Sequence, residues 1–441
     1  MSINPPPEEQ SSRTVRPSGP PVNAKLLSLR RLCWFLVLFK ISYLLLLSAA
    51  ILAWPLQKNA EWFPGAIQHW TEDGHLTFGS HFRSWDAAQY LLIAAHGYQA
   101  GGGRCAFYPL FPLAIRCFAT LTLGNYLVAA VLLANAFSLA ASLFFFKIVR
   151  KRLGESTALV ALALLLAFPG SLFFQFIYTE GLFLFLLMLL VFGLEENHLT
   201  LAFVAAFCLP LTRAVGIFSA VLILWHLACK ATPVWLADLA DRCRSSKRLS
   251  NFAAQGKSEQ VFARALVSPS SGRAGVYAVL AAPVLGWGVY FFQMWIWTGN
   301  AFEGFAAQKQ FGFESIEHIF MLPHFIRALL HPTSLHDVTG SVLDRCFFLL
   351  VLYCLPSIWR MDKGWFLWTL LSGIVPAMSG TFVSYTRFAS VVFPLFIAVA
   401  SILKESRSEI HYKAWSMGTI LLFGVVQIAL LWRFVNYRWA G

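Results

Sequence analysis

Four charged residues stand in short polar breaks between long apolar runs: Asp86 in S-W-D-A-A-Q-Y, Glu180 in Y-T-E, Arg213 in L-T-R and Arg387 in S-Y-T-R. A carboxylate within reach of a hydroxyl can remove its proton, and a guanidinium can hold two phosphate oxygens at once. Together they form an acid-base and phosphate-binding set. Such groups are costly beside lipid, so each is a candidate for function.

The elements that position these residues are apolar helices. The chain has 441 residues, 58% hydrophobic and 12% charged, where a soluble domain carries about a quarter charged. That composition predicts an all-α polytopic membrane protein. The net charge of +13 does not point to nucleic acid, because the basic residues lie in short connectors between apolar runs and not on a solvated domain. Residues 1–24, rich in Pro, Ser and Glu, read as a disordered cytoplasmic tail, and 25–441 as one membrane domain. The run from Leu32 is too long for a signal peptide and reads as a retained first span.

Apolar runs at 31–54, 125–146, 157–176, 181–194, 199–211, 214–229, 274–297, 342–359, 364–380, 386–403 and 414–432 predict about eleven crossings, although two fall short of the usual length. With a cytoplasmic N-terminus, the inside connectors receive Lys147 to Arg152, the basic loop 230–273, Arg360, Lys363, and Lys404 to Lys413. Arg433 and Arg438 remain outside. The same rule splits 199–229 into two short spans joined at Pro210 to Arg213. A long outer loop, 57–124, and the turns at Glu180, Arg213 and Arg387 then meet one face of the membrane.

Within the outer loop, Ser84 is placed to cap a short helix with Asp86 in its first turn and Tyr90 on the same face. Gly101 to Gly103 reads as a flexible hinge. Pro109 and Pro112 are expected to delay the next helix, so that Leu113–Leu123 lies at the interface. A first-turn acid also interacts well with the helix dipole, which is the competing structural reading of Asp86 and of Glu180. Snorkelling to the interface is the competing and less favoured reading of Arg213 and of Arg387. Trp85 and Tyr90 are candidates to line a sugar pocket, although aromatics are common at membrane interfaces.

The eight cysteines have no zinc spacing and read as small apolar residues; a Cys105–Cys117 pair outside the membrane is an open alternative that the sequence does not decide. His69, His75, His81, His96, His318, His324, His331 and His336 show no H-E-x-x-H spacing, so no metal site is expected.

The order S-W-D-A-A-Q-Y-L-L-I-A-A-H-G-Y then A-F-Y-P-L-F-P resembles the signature of the PIG-V-like mannosyltransferases. Further blocks agree: F-P-G-S-L-F-F-Q-F-I-Y-T-E-G-L-F (168–183), L-T-R-A-V-G (211–216), Y-T-R-F-A-S-V-V-F-P (385–394), and an outer-loop pattern from Gly299 to Gln308. Gly181 stands where the family usually has Ser, and Phe388 where Tyr is usual. The resemblance implies a GT-C-like bundle and an inverting glycosyltransferase. Its donor would be a polyprenyl-phosphate sugar, its acceptor an unassigned lipid-linked or other hydroxyl, and its active site on the non-cytoplasmic side of a plasma or endoplasmic-reticulum membrane. Asp86 would be the catalytic base, with Glu180, Arg213, Arg387, Tyr90, Trp85 and Gln308 binding substrate. No cofactor is expected. No Gly-rich phosphate loop follows a strand, which removes the usual place for a nucleotide sugar. A secondary transporter or flippase shares the broken helices and intramembrane charges, but the chain has no repeated halves.

Overall fold

A computed structural model describes residues 28–53, 77–229, 270–309, 321–338, 340–379, 382–405 and 408–441. The tail 1–24, His69, His75, His318 and almost all of the basic loop 230–273 lie outside the described residues. Those described are helical, with one isolated bridge between Ser334 and Ser341.

Five helices are long and apolar enough to cross a membrane: α1 (Leu29–Ala53), α4 (Tyr126–Leu153), α9 (Ser270–Thr298), α12 (Val342–Met361) and α16 (Glu409–Val435). Three of them start on a side-chain cap, from Asn125, Ser341 and Ser408, which satisfies an otherwise orphaned amide. Their outer faces keep Trp34, Phe35 and Leu38 on α1, and Leu421, Leu422 and Val425 on α16, exposed. Apolar patches of that extent are stable against lipid and not against water.

Shorter elements fill the bundle: α2 (Asp86–His96), α3 (Leu110–Ala119), α5 (Glu155–Ala167), α6 (Glu180–Glu195), α7 (Leu199–Cys208), α8 (Ala214–Cys229), α10 (Glu303–Gln308), α11 (Leu322–Leu330), α13 (Lys363–Thr369), α14 (Tyr385–Ala389) and α15 (Phe393–Lys404). Helix α6 is buried almost throughout and packs on α4 and α7.

Several expectations are corrected. Helix α3 begins at Leu110, three residues before the predicted start, because Pro112 sits in its first turn, where a missing amide costs nothing. The run 157–176 ends its helix at Ala167. Pro169 holds Phe168 extended, and the chain continues as a buried 3₁₀ turn, Pro169–Phe174. The run 386–403 is broken at Ser390 to Val392, and Arg387 sits in α14, a helix and not a turn. Gly101 is tied down by its amide, which donates to Glu303 Oε1 at 2.7 Å, so the glycine run is no free hinge. Cys105 is buried and Cys117 exposed, both free thiols.

Helices α4 and α6 run parallel, Gly181 beside Ala134 and Ser138 at one end and Glu195 and Glu196 beside Arg152 and Lys151 at the other, which separates two polar ends. At one, Arg152 donates to Glu195 (2.6 Å) and Asp362 (2.9 Å), and Lys151 to Glu196 (2.7 Å). At the other, α6 begins with Glu180.

Lys40 on α1 is buried inside this bundle. Its ammonium donates to Ser138 Oγ at 2.7 Å, Gln175 Oε1 at 2.8 Å and the Phe174 carbonyl at 3.1 Å, tying α1 to α4 and to the turn ahead of Glu180. Lys40→Met would leave Gln175 Oε1 without this donor. The expected result is a loss of about 1–3 kcal/mol in thermal unfolding measured in detergent; an unchanged midpoint would show that Lys40 carries no such weight.

Candidate active site

Asp86 is the first residue of α2, but Ser84 does not cap that helix. Its hydroxyl donates back to the His81 carbonyl (3.2 Å), and the cap position is Trp85. Trp85 has φ 56° and ψ −134°, a conformation that costs a bulky residue on the order of 1–3 kcal/mol. Its ring is held edge-on against Trp439, centroids 5.1 Å apart, and neighbouring His81 stacks on Tyr437 at 5.2 Å. Burial pushes the His81 imidazole down to about 4, so it is neutral near pH 7. The strained turn and its aromatic supports aim Asp86 away from the α2 axis.

The aim is toward Arg387, whose Nη1 donates to Asp86 Oδ2 at 2.7 Å across 301 residues of sequence. Arg387 Nε also stands 3.1 Å from Glu180 Oε1, at ion-pair distance but off the line of a hydrogen bond. The same Glu180 oxygen accepts from Arg213 Nη1 at 2.5 Å. Two carboxylates and two guanidiniums thus alternate in one chain: Asp86, Arg387, Glu180, Arg213. Their formal charges cancel, which lowers the cost of burial.

Exposure separates their roles. The Glu180 side chain is 1% exposed and that of Asp86 27%. Glu180 is an internal brace between two cations, and Asp86 is the acid that an incoming molecule can reach.

Phe388 stands where the family usually has Tyr. Its ring lies 4.7 Å from the Arg213 guanidinium and 5.0 Å from that of Arg387, so one aromatic face serves both cations. Tyr178 and Phe173 flank Arg387 at 5.2 and 5.5 Å. Gly181, the other departure, is closely packed. A side chain there would press on the Ala134 carbonyl and on Ser138, both 3.1 Å from an added Cβ, so a hydroxymethyl group fits only if α4 gives by a few tenths of an ångström. Gly170, in the F-P-G-S block, has a similar reason. Its bare Cα lets the 3₁₀ turn touch the backbone of Thr386 and Arg387, and an added Cβ would overlap the Thr386 carbonyl.

The remaining candidates are not equivalent. Tyr90 is buried between Phe107 and Phe111, with its hydroxyl 3.4 Å from Thr179 Oγ1; it supports the residue before Glu180. Arg213 stands in the break between α7 and α8, as the two-segment reading expected. Gln308 ends α10 half-buried, and among the described interactions no hydrogen bond or ion pair joins it to the four charged residues. Sequence reasoning missed Gly170, Thr386 and Asp344. The last accepts from both the Thr386 amide and its hydroxyl, and no spacing signal links positions 344 and 386.

Fold and site define an integral-membrane helical protein with a charge-balanced polar centre at one end of an apolar bundle. The profile of the family described as Mannosyltransferase (PIG-V) matches residues 24–268, more than half of the chain, and the protein belongs to that family. It is therefore a glycosyltransferase acting on mannose. Asp86, Glu180 and Arg213 fall within the matched stretch, and Arg387 lies beyond it. A comparison with curated proteins gives no match.

Proposed function

We propose that the protein moves mannose from a polyprenyl-phosphate donor to an acceptor hydroxyl, with inversion at C1, in a GT-C-type bundle that crosses the membrane about eleven times. The observation that carries the reading is the Asp86–Arg387–Glu180–Arg213 chain, with its single accessible acid. Asp86 takes the proton as the acceptor oxygen attacks C1. The C1–O bond to phosphate breaks, and the phosphate leaves with the electron pair. A phosphate is already a competent leaving group, so it needs cations to stabilise its charge more than an acid to protonate it. Arg387 and Arg213 supply them. Their pairing with Glu180 holds both guanidiniums in place before substrate arrives, so little reorganisation is needed.

The non-cytoplasmic face is supported by charge distribution. Lys151 and Arg152 gather at the bundle end opposite the site, and basic ends favour the cytoplasm.

The test is transfer by the purified protein in proteoliposomes, offered labelled mannose as a polyprenyl phosphate or as a nucleotide sugar, with a membrane-lipid extract as acceptor. Transfer from the lipid phosphate alone, with opposite anomeric configuration in the product, is the expected result. Transfer from the nucleotide sugar would overturn the donor assignment, and retained configuration the mechanism.

A further inference from the structure

The geometry points to Asp344 as a positioning residue that fixes the Arg387 guanidinium through Thr386, a role that rests on the phosphate-binding reading of Arg387. Asp344 lies on α12 and is fully buried. One of its oxygens, Oδ1, accepts from the Thr386 amide and from the Thr386 hydroxyl, both at 2.6 Å. Thr386 is the residue before Arg387.

Helix α14 cannot fix itself. It has five residues, and Ser384 ahead of it is left-handed (φ 60°) and gives no side-chain cap. The tether therefore comes from another helix. Asp344 is in turn set by its surroundings: its own amide donates to Ser341 Oγ (3.1 Å), and that oxygen also meets His336 Nδ1 at 3.0 Å. The His336 carbonyl accepts from Arg433 at 2.9 Å, which links the tether to α16.

The cost of this carboxylate shows that its position matters. Among the described residues the nearest side chain that can carry a positive charge toward it is His336, at 3.7 Å and charged only when protonated, while Arg345 turns away toward the Ala328 carbonyl. A buried acid so weakly compensated is expensive. On the far side of α14, Gly170 lets the 3₁₀ turn close on Thr386 and Arg387. The helix is thus gripped by Asp344 on one side and bounded by Gly170 on the other, so Arg387 reaches Asp86 and Glu180 with little freedom. Shifts of about 1 Å in a positioning group can cost 10²-fold in rate.

Kinetics and hydrogen exchange test the inference together. Thr386→Val removes one of the two tethering bonds and is expected to raise the donor KM about tenfold, with acceptor KM unchanged and kcat altered less. Thr386→Ser keeps the hydroxyl and is expected to behave as the unsubstituted protein. Asp344→Ala is expected to lose amide protection over residues 385–389, read by hydrogen-exchange mass spectrometry, whereas Asp344→Asn, which retains an acceptor oxygen, keeps it. Unchanged protection in Asp344→Ala overturns the tether. Equal rises in donor and acceptor KM, or failure of Thr386→Ser to restore the donor KM, overturn its role in positioning Arg387. If no lipid-phosphate mannose is used by the unsubstituted protein, the functional reading fails, and hydrogen exchange still decides the tether.

Discussion

Asp86→Asn is expected to lower kcat by about 10²–10⁴-fold while lowering thermal stability less than the matching change at Glu180, since general-base catalysis contributes about that much. The amide oxygen of Asn still accepts from Arg387, and the side chain is the most accessible of the central four, so packing is spared. What is lost is the lone pair that takes the acceptor proton. Steady-state transfer and a melting curve on equal amounts of protein check both halves. Undiminished transfer would remove Asp86 as base, and a collapsed melting curve would reassign it to structure.

Glu180→Gln should do the reverse. Glu180 is the shared partner of two guanidiniums in a buried site, and neutralising it leaves Asp86 alone to face Arg387, with Arg213 unpaired. Breaking a buried ion pair in this way costs about 3–5 kcal/mol, so the melting temperature should fall markedly. Activity should fall through a higher donor KM, because both cations proposed to bind the donor phosphate lose their alignment. The two variants thus separate an acid that reacts from an acid that holds. If Glu180→Gln melts normally and keeps the donor KM, the brace is not needed.

Much of this centre could be read in the chain before any coordinates. The four charged residues were legible because a charge in an apolar sequence has few tolerable places, and the motif blocks set each beside a helix break. The break at Thr212 and Arg213 was legible from charge bias. The start of α3 was misread, since a proline signals a barrier only beyond the first turn. The left-handed Trp85 leaves no mark in sequence, because its support comes from Trp439 at the far end of the chain. Asp344 was invisible for a similar reason: a single acid early in a helix is explained by local electrostatics, and only tertiary structure shows Thr386 beneath it.

The ion pair between Arg387 and Asp86, 301 residues apart, also sets an order of assembly. At a synthesis rate of about 5–20 residues per second, Asp86 precedes its partner by on the order of 15–60 s. Glu180 waits far less, because Arg213 follows it by only 33 residues. The partner of the buried Glu180 is therefore made early and the partner of the more exposed Asp86 late. A chain stopped short of α14 thus carries the Asp86 carboxylate without its Arg387 partner, which distinguishes it from the full-length protein.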